Sequence, residues 1–156
     1  MQTKITQKQN ILTTAIILTL CFIWGNSLLP ASISGAISGW LKAFIMSILS
    51  GLSSTSVSTG DGLLRKIAHA TEYAALGAEL FYLFSIIMKK PLSSVILSGF
   101  SVALIDETIQ LFVDGRAGLV VDIWIDIFGV LVGILLLAMI FCIKETFNIH
   151  KANSIY

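Results

Sequence analysis

The chain has 156 residues, 56% hydrophobic and 12% charged, with a formal net charge of +1 and a mean hydropathy of +0.91. Soluble domains carry about 25% charged residues, and a chain this short has too little interior to hide such a composition, so an integral membrane protein of one domain is indicated. The near-neutral charge and the lack of any basic stripe argue against a nucleic-acid partner.

The fold expected is an all-α membrane protein, residues 1–156, with four transmembrane helices and a short interfacial or re-entrant helix between the first two. Each span needs about 20 apolar residues. The first covers about 11–29. Lys4 and Lys8 precede it and Ser32 and Ser34 follow, a pattern shared with cleaved signal peptides. The run is long for a signal segment, which favours a retained helix. Residues about 35–50, within SGAISGWLKAFIMSIL, are too few to span, and Trp40 and Lys42 suit a headgroup zone. GLSSTSVSTGDG then forms a connector.

The second span, about 63–88, is closed by Lys89-Lys90-Pro91, because proline has no N–H to continue a helix. The third covers about 92–113, and Asp114-Gly115-Arg116-Ala117-Gly118 is a tight polar turn. The fourth covers about 119–143. Cys21 and Cys142 lie in apolar runs without a CxxC partner, so buried, reduced thiols are expected.

With four crossings, both termini share a side with the Lys89-Lys90 turn. That side collects Lys4, Lys8, Lys89, Lys90, Lys144 and Lys151, against Lys42, Arg65, Lys66 and Arg116 opposite. The excess of positive charge marks the cytoplasm, which places both termini inside.

The second span opens RKIAHATEY. At about 100° per residue, Arg65, His69, Glu72, Tyr73, Leu76 and Glu79 fall in an arc of about 120°, while Ile67, Ala70, Ala74 and Ala78 fall elsewhere. The third span puts Asp106 and Gln110 one turn apart near its end, with Glu107 about 100° round. The fourth opens with Asp122, Asp126, Gly129 and Gly133 within about 60° of one another, two carboxylates above a Gly-x-x-x-Gly surface that permits close helix contact, between copies of the chain included.

All these polar sets except Glu79 fall in the outer half of the membrane, below Arg116. They form one expected cluster: Arg65, Lys66, His69, Glu72, Asp106, Glu107, Gln110, Arg116, Asp122 and Asp126. Ionisable groups in a bilayer need partners, so mutual pairing around a small hydrated cavity follows. Arg65 and Arg116 suit forked contacts to carboxylates or to a phosphate. Glu79, about 21 Å down the axis from Arg65, needs a partner or a proton.

RKIAHATEYAALG, DETIQLFVDGRAG and DIWIDIFGVLVG resemble the three signature blocks of the VanZ-like family of bacterial membrane proteins, and IWGNSLLPASISGAISGW resembles the segment after its first helix. Carried over residue by residue, the family pattern falls on Lys66, His69, Glu72, Tyr73, Asp106, Glu107, Gln110, Arg116, Asp122, Gly129 and Gly133. Asp126 departs from it, standing where the family commonly has asparagine. The resemblance implies a multi-pass protein of the bacterial cytoplasmic membrane with a role in low-level teicoplanin resistance, and it implies no particular reaction.

Three readings of the cluster follow. In a catalytic one, His69, Glu72, Asp106, Glu107 and Asp122 do the proton work while Arg65, Lys66, Tyr73, Gln110, Arg116 and Asp126 hold the ligand, an anionic membrane lipid or lipid-linked cell-wall precursor. In a second, the cluster only binds. In the third, it fixes helix packing. No cofactor motif is present. His69-x-x-Glu72 with Asp106, Asp122 and Asp126 offers imidazole and oxygen ligands, but a metal is disfavoured, because nothing resembles HExxH or a cysteine set and the arginines oppose a cation. Transport is little supported, since polar groups thin out toward the cytoplasmic half.

Overall fold

The computed structural model describes residues 2–36, 39–40 and 61–153. Four helices carry the fold: α1 (Gln2–Ser27), α2 (Asp61–Ile87), α3 (Leu92–Gln110) and α4 (Val120–Asn153). Each contains a stretch long and apolar enough to cross a membrane: Ile5–Ser27, Arg65–Ile87, Leu92–Gln110 and Val120–Asn148. A short helical stretch, 31–36, follows α1. Most of the expected interfacial segment, 35–50, lies outside the described residues. No strand occurs among those described.

The helix ends differ from the expected spans for local reasons. α1 begins well before residue 11, since nothing in its polar first turns breaks a helix. α3 stops at Gln110, short of 113, because Phe112 and Val113 donate to the carbonyls three residues back, at Ile109 and Gln110. Gly115 then takes φ +73°, a conformation that glycine adopts without strain. The Asp114 carbonyl accepts from the Ala31 N–H, which ties this turn to the segment after α1. α4 continues past 143, where no glycine or proline stops it.

Small residues set the packing. A Cβ on Gly129 would meet the backbone of Ala70, and one on Gly133 the backbone of Ala74, so α4 lies parallel to α2 at close range. This is the most extensive helix pair. The glycine pair that offered a surface for a second copy is therefore covered by α2 of the same chain. Val130 fits between Gly77 of α2 and Gly99 of α3. Ile23, Tyr73, Leu76, Val95 and Ala103 complete the apolar core with no exposed surface.

The polarity is inverted relative to a water-soluble bundle. Asp106, Glu107, Gln110 and Asp126 are buried, while Leu18, Phe22, Leu97, Trp124, Phe128 and Leu135 are exposed. Such a surface suits lipid, and buried polar groups beneath it must find partners within the protein. Cys21 and Cys142 are free and exposed. The expectation of buried thiols is corrected: an apolar run in a membrane helix need not face the core, because lipid solvates it equally well.

Candidate functional site

The up-and-down arrangement brings the end of α1, the start of α2, the end of α3 and the start of α4 to one end of the bundle. The expected cluster assembles there. Lys66 pairs with Asp122 at 3.2 Å. The His69 Nδ1 atom lies 3.8 Å from Asp106 Oδ2 and 3.7 Å from Asp126 Oδ1. Three helices thus contribute to one constellation, as the arcs of polar residues require. Arg65, Lys66, His69, Glu107, Gln110, Asp122, Ile125 and Asp126 line a narrow, partly enclosed cleft with room for about one water molecule.

Gln110 organises the α3 contribution. Its amide donates to Asp106 Oδ2 at 3.1 Å and to Glu107 Oε1 at 3.2 Å, and reaches the Ser27 hydroxyl at 3.5 Å. Glu107 is fully engaged, since its second oxygen accepts from the Leu119 N–H at 2.8 Å, just before α4 begins. A carboxylate there favours the helix start. Glu107 therefore ties the end of α3 to the start of α4.

Arg116 makes its fork to backbone carbonyls, with no carboxylate in it. Its Nε donates to the Leu29 carbonyl at 2.8 Å and its Nη2 to the Asn26 carbonyl at 2.9 Å. The fork closes on orphan carbonyls at the C-terminal end of α1, and Nη1 has no protein partner. Burial lowers the pKa of this guanidinium, and the nearby Arg65 charge acts in the same direction. Arginine remains cationic at neutral pH all the same.

Tyr73 sits in the apolar core with no exposed surface and does not line the cleft. Glu72 accepts from the Asn26 amide at 3.0 Å. Deeper in the bundle, Glu79 accepts from the Thr19 hydroxyl at 3.1 Å, the partner it needs. Asn26 and Ser27 are the site residues the sequence reading passed over. Their signal was present: two polar residues close an apolar span at the depth of the other polar sets.

Several polar atoms in the site are buried and make no hydrogen bond within the protein: Glu72 Oε2, Asp106 Oδ1 and both carboxylate oxygens of Asp126, one of which faces His69 at 3.7 Å. Buried acceptors are ordinarily hydrogen-bonded. These open acceptors gather at the same end of the bundle as the cleft.

Among known proteins, the family described as VanZ/LLP1 matches residues 6–142. No curated protein and no solved structure matches the chain.

Proposed function

The chain belongs to the VanZ/LLP1 family, and we propose that it serves the bacterial cell envelope by holding the anionic headgroup of a lipid or lipid-linked cell-wall precursor. In this reading the polar end of the bundle faces the outer leaflet and both termini face the cytoplasm. The protein contributes to teicoplanin resistance by acting on that lipid.

The carrying observation is the cleft itself, where the side chains of Arg65 and Lys66 stand beside His69 in its lining. Lys66 is 38% exposed and, among the described residues, pairs with one carboxylate, so an incoming phosphate has a cation to meet. The open Nη1 of Arg116 adds a donor. A second feature fits a lipid: Leu18, Phe22, Ala68 and Ala75 line an open groove between α1 and α2 that also takes in Glu72. An acyl chain lying there would bring its headgroup toward the cluster. The position of His69 between two carboxylates favours proton transfer over passive holding.

Lipid titration of the protein in nanodiscs tests this. Phosphatidylglycerol is expected to bind about tenfold more tightly than phosphatidylcholine, a difference of about 1.4 kcal/mol. Arg65→Ala combined with Lys66→Ala removes most of that preference and raises teicoplanin susceptibility in expressing cells. Equal affinity for both lipids alongside intact resistance would reject the headgroup reading.

A further inference from the structure

We propose that His69, Asp106 and Asp126 form a binding site for one divalent metal ion of the zinc or manganese class. The three side chains come from α2, α3 and α4, and their ligand atoms all lie within 4.8 Å of one another. The His69 Nδ1 atom stands 3.8 Å from Asp106 and 3.7 Å from Asp126. Those separations are too long for hydrogen bonds. They lie only a few tenths of an ångström beyond the spacing of about 3.3–3.6 Å between ligands bonded at about 2.0–2.2 Å around a tetrahedral ion. The groups converge without touching, and a small body between them would complete the contacts.

An independent observation points the same way. Asp126 is 1% exposed and neither of its oxygens has a hydrogen-bond partner. Asp106 has no exposed surface, and its Oδ1 is likewise open while Gln110 fixes Oδ2. Gln110 thus holds the oxygen that faces His69, and ligating carboxylates are themselves hydrogen-bonded in this way. The adjoining cleft, lined by His69 and Asp126, has room for about one water-sized body, which suits a single ion completing its shell.

The arginines, which from sequence alone oppose a cation, are balanced in the folded site. Arg116 is turned onto the carbonyls of Asn26 and Leu29. Glu72, Asp106, Glu107, Asp122 and Asp126 outnumber Arg65, Lys66 and Arg116 by two negative charges when all are ionised, which one divalent ion neutralises. One imidazole with two carboxylates is a mixed donor set: the nitrogen suits zinc and the oxygens suit manganese. This site does not depend on the headgroup reading, because metal can be counted without lipid.

The test uses the full chain, purified without a histidine tag, stripped with chelator and equilibrated with zinc or manganese alone. Elemental analysis is expected to find about one ion per chain with at least one of the two metals, and the ion raises the thermal midpoint. Asp126→Asn, close in shape, keeps the helical circular dichroism and loses most of the bound ion, and His69→Gln does the same. Fewer than about 0.2 ions per chain with both metals would overturn the proposal, given how tightly a preformed three-ligand site holds metal. Stoichiometric binding that survives both substitutions would overturn it too.

Discussion

His69→Gln abolishes the envelope phenotype while leaving the purified protein folded. The expectation follows from how the imidazole is held. Its Nδ1 atom faces Asp106 and Asp126 at 3.8 and 3.7 Å, distances too long for a hydrogen bond to be lost. Glutamine is close to histidine in volume and polar, so it fills the same space without adding a charge. With both proteins stripped of metal by chelator, the midpoint of thermal unfolding in detergent therefore moves little. What disappears is a group able to take and return a proton or to ligate through nitrogen. Positioned acid–base groups contribute about 10²–10⁴-fold to rate, so resistance should fall to that of cells without the protein. A site that only fixes packing would behave differently: stability and phenotype would then decline together.

Gly133→Ala has the opposite signature, and its effect on assembly is the largest expected. The added methyl group would meet the Ala74 backbone, which cannot turn aside as a side chain would. Overpacking a core costs about 1–3 kcal/mol when side chains can adjust, and a collision with backbone belongs at or above the top of that range. α2 and α4 must separate, and with them His69 leaves Asp126. Gly25→Ala is the matched control, because nothing lies within 4 Å of a Cβ at that position. Alanine is the better helix former by about 1 kcal/mol, so Gly25→Ala leaves the protein as stable or more so. Size-exclusion profiles and thermal midpoints of the two variants in one detergent distinguish them. Equal behaviour would mean that α2 and α4 do not touch through this glycine.

The likeness of the two faces of α2 to a plan was only half legible in the sequence. The polar arc from Arg65 to Glu79 was plain, because charged residues in an apolar helix stand out at any spacing. The opposite face, with Ala70, Ala74 and Gly77, carried the more important packing information and read as filler. Small residues are common in every helix, and only the matching Gly129 and Gly133 on α4 give them meaning. The same limit explains Glu107 and Arg116. Helical periodicity tells which side chains share a face, not which backbone groups of a neighbouring helix lie within reach. The Leu119 N–H and the Asn26 and Leu29 carbonyls became visible as partners only when α1, α3 and α4 were brought to the same end.

The cysteines teach a related lesson. In water an apolar run implies a buried face, whereas in lipid the whole perimeter is apolar and hydropathy loses its inside and outside. Polar residues take over that role. Asp106, Gln110 and Asp126, each at most 2% exposed, mark the interior of this bundle better than its leucines do. A count of positive charges predicted the sidedness, and the functional reading rests upon it. On that reading an outward-facing site is open to glycopeptide, and the same site turned inward is not.

Sidedness is therefore the quantity to measure. In a background with Cys21 and Cys142 replaced by serine, Asp114→Cys places one thiol on the exposed turn between α3 and α4. A membrane-impermeant maleimide is expected to label it in intact cells as completely as in permeabilised ones. Labelling that requires permeabilisation would put the polar end in the cytosol and contradict the account.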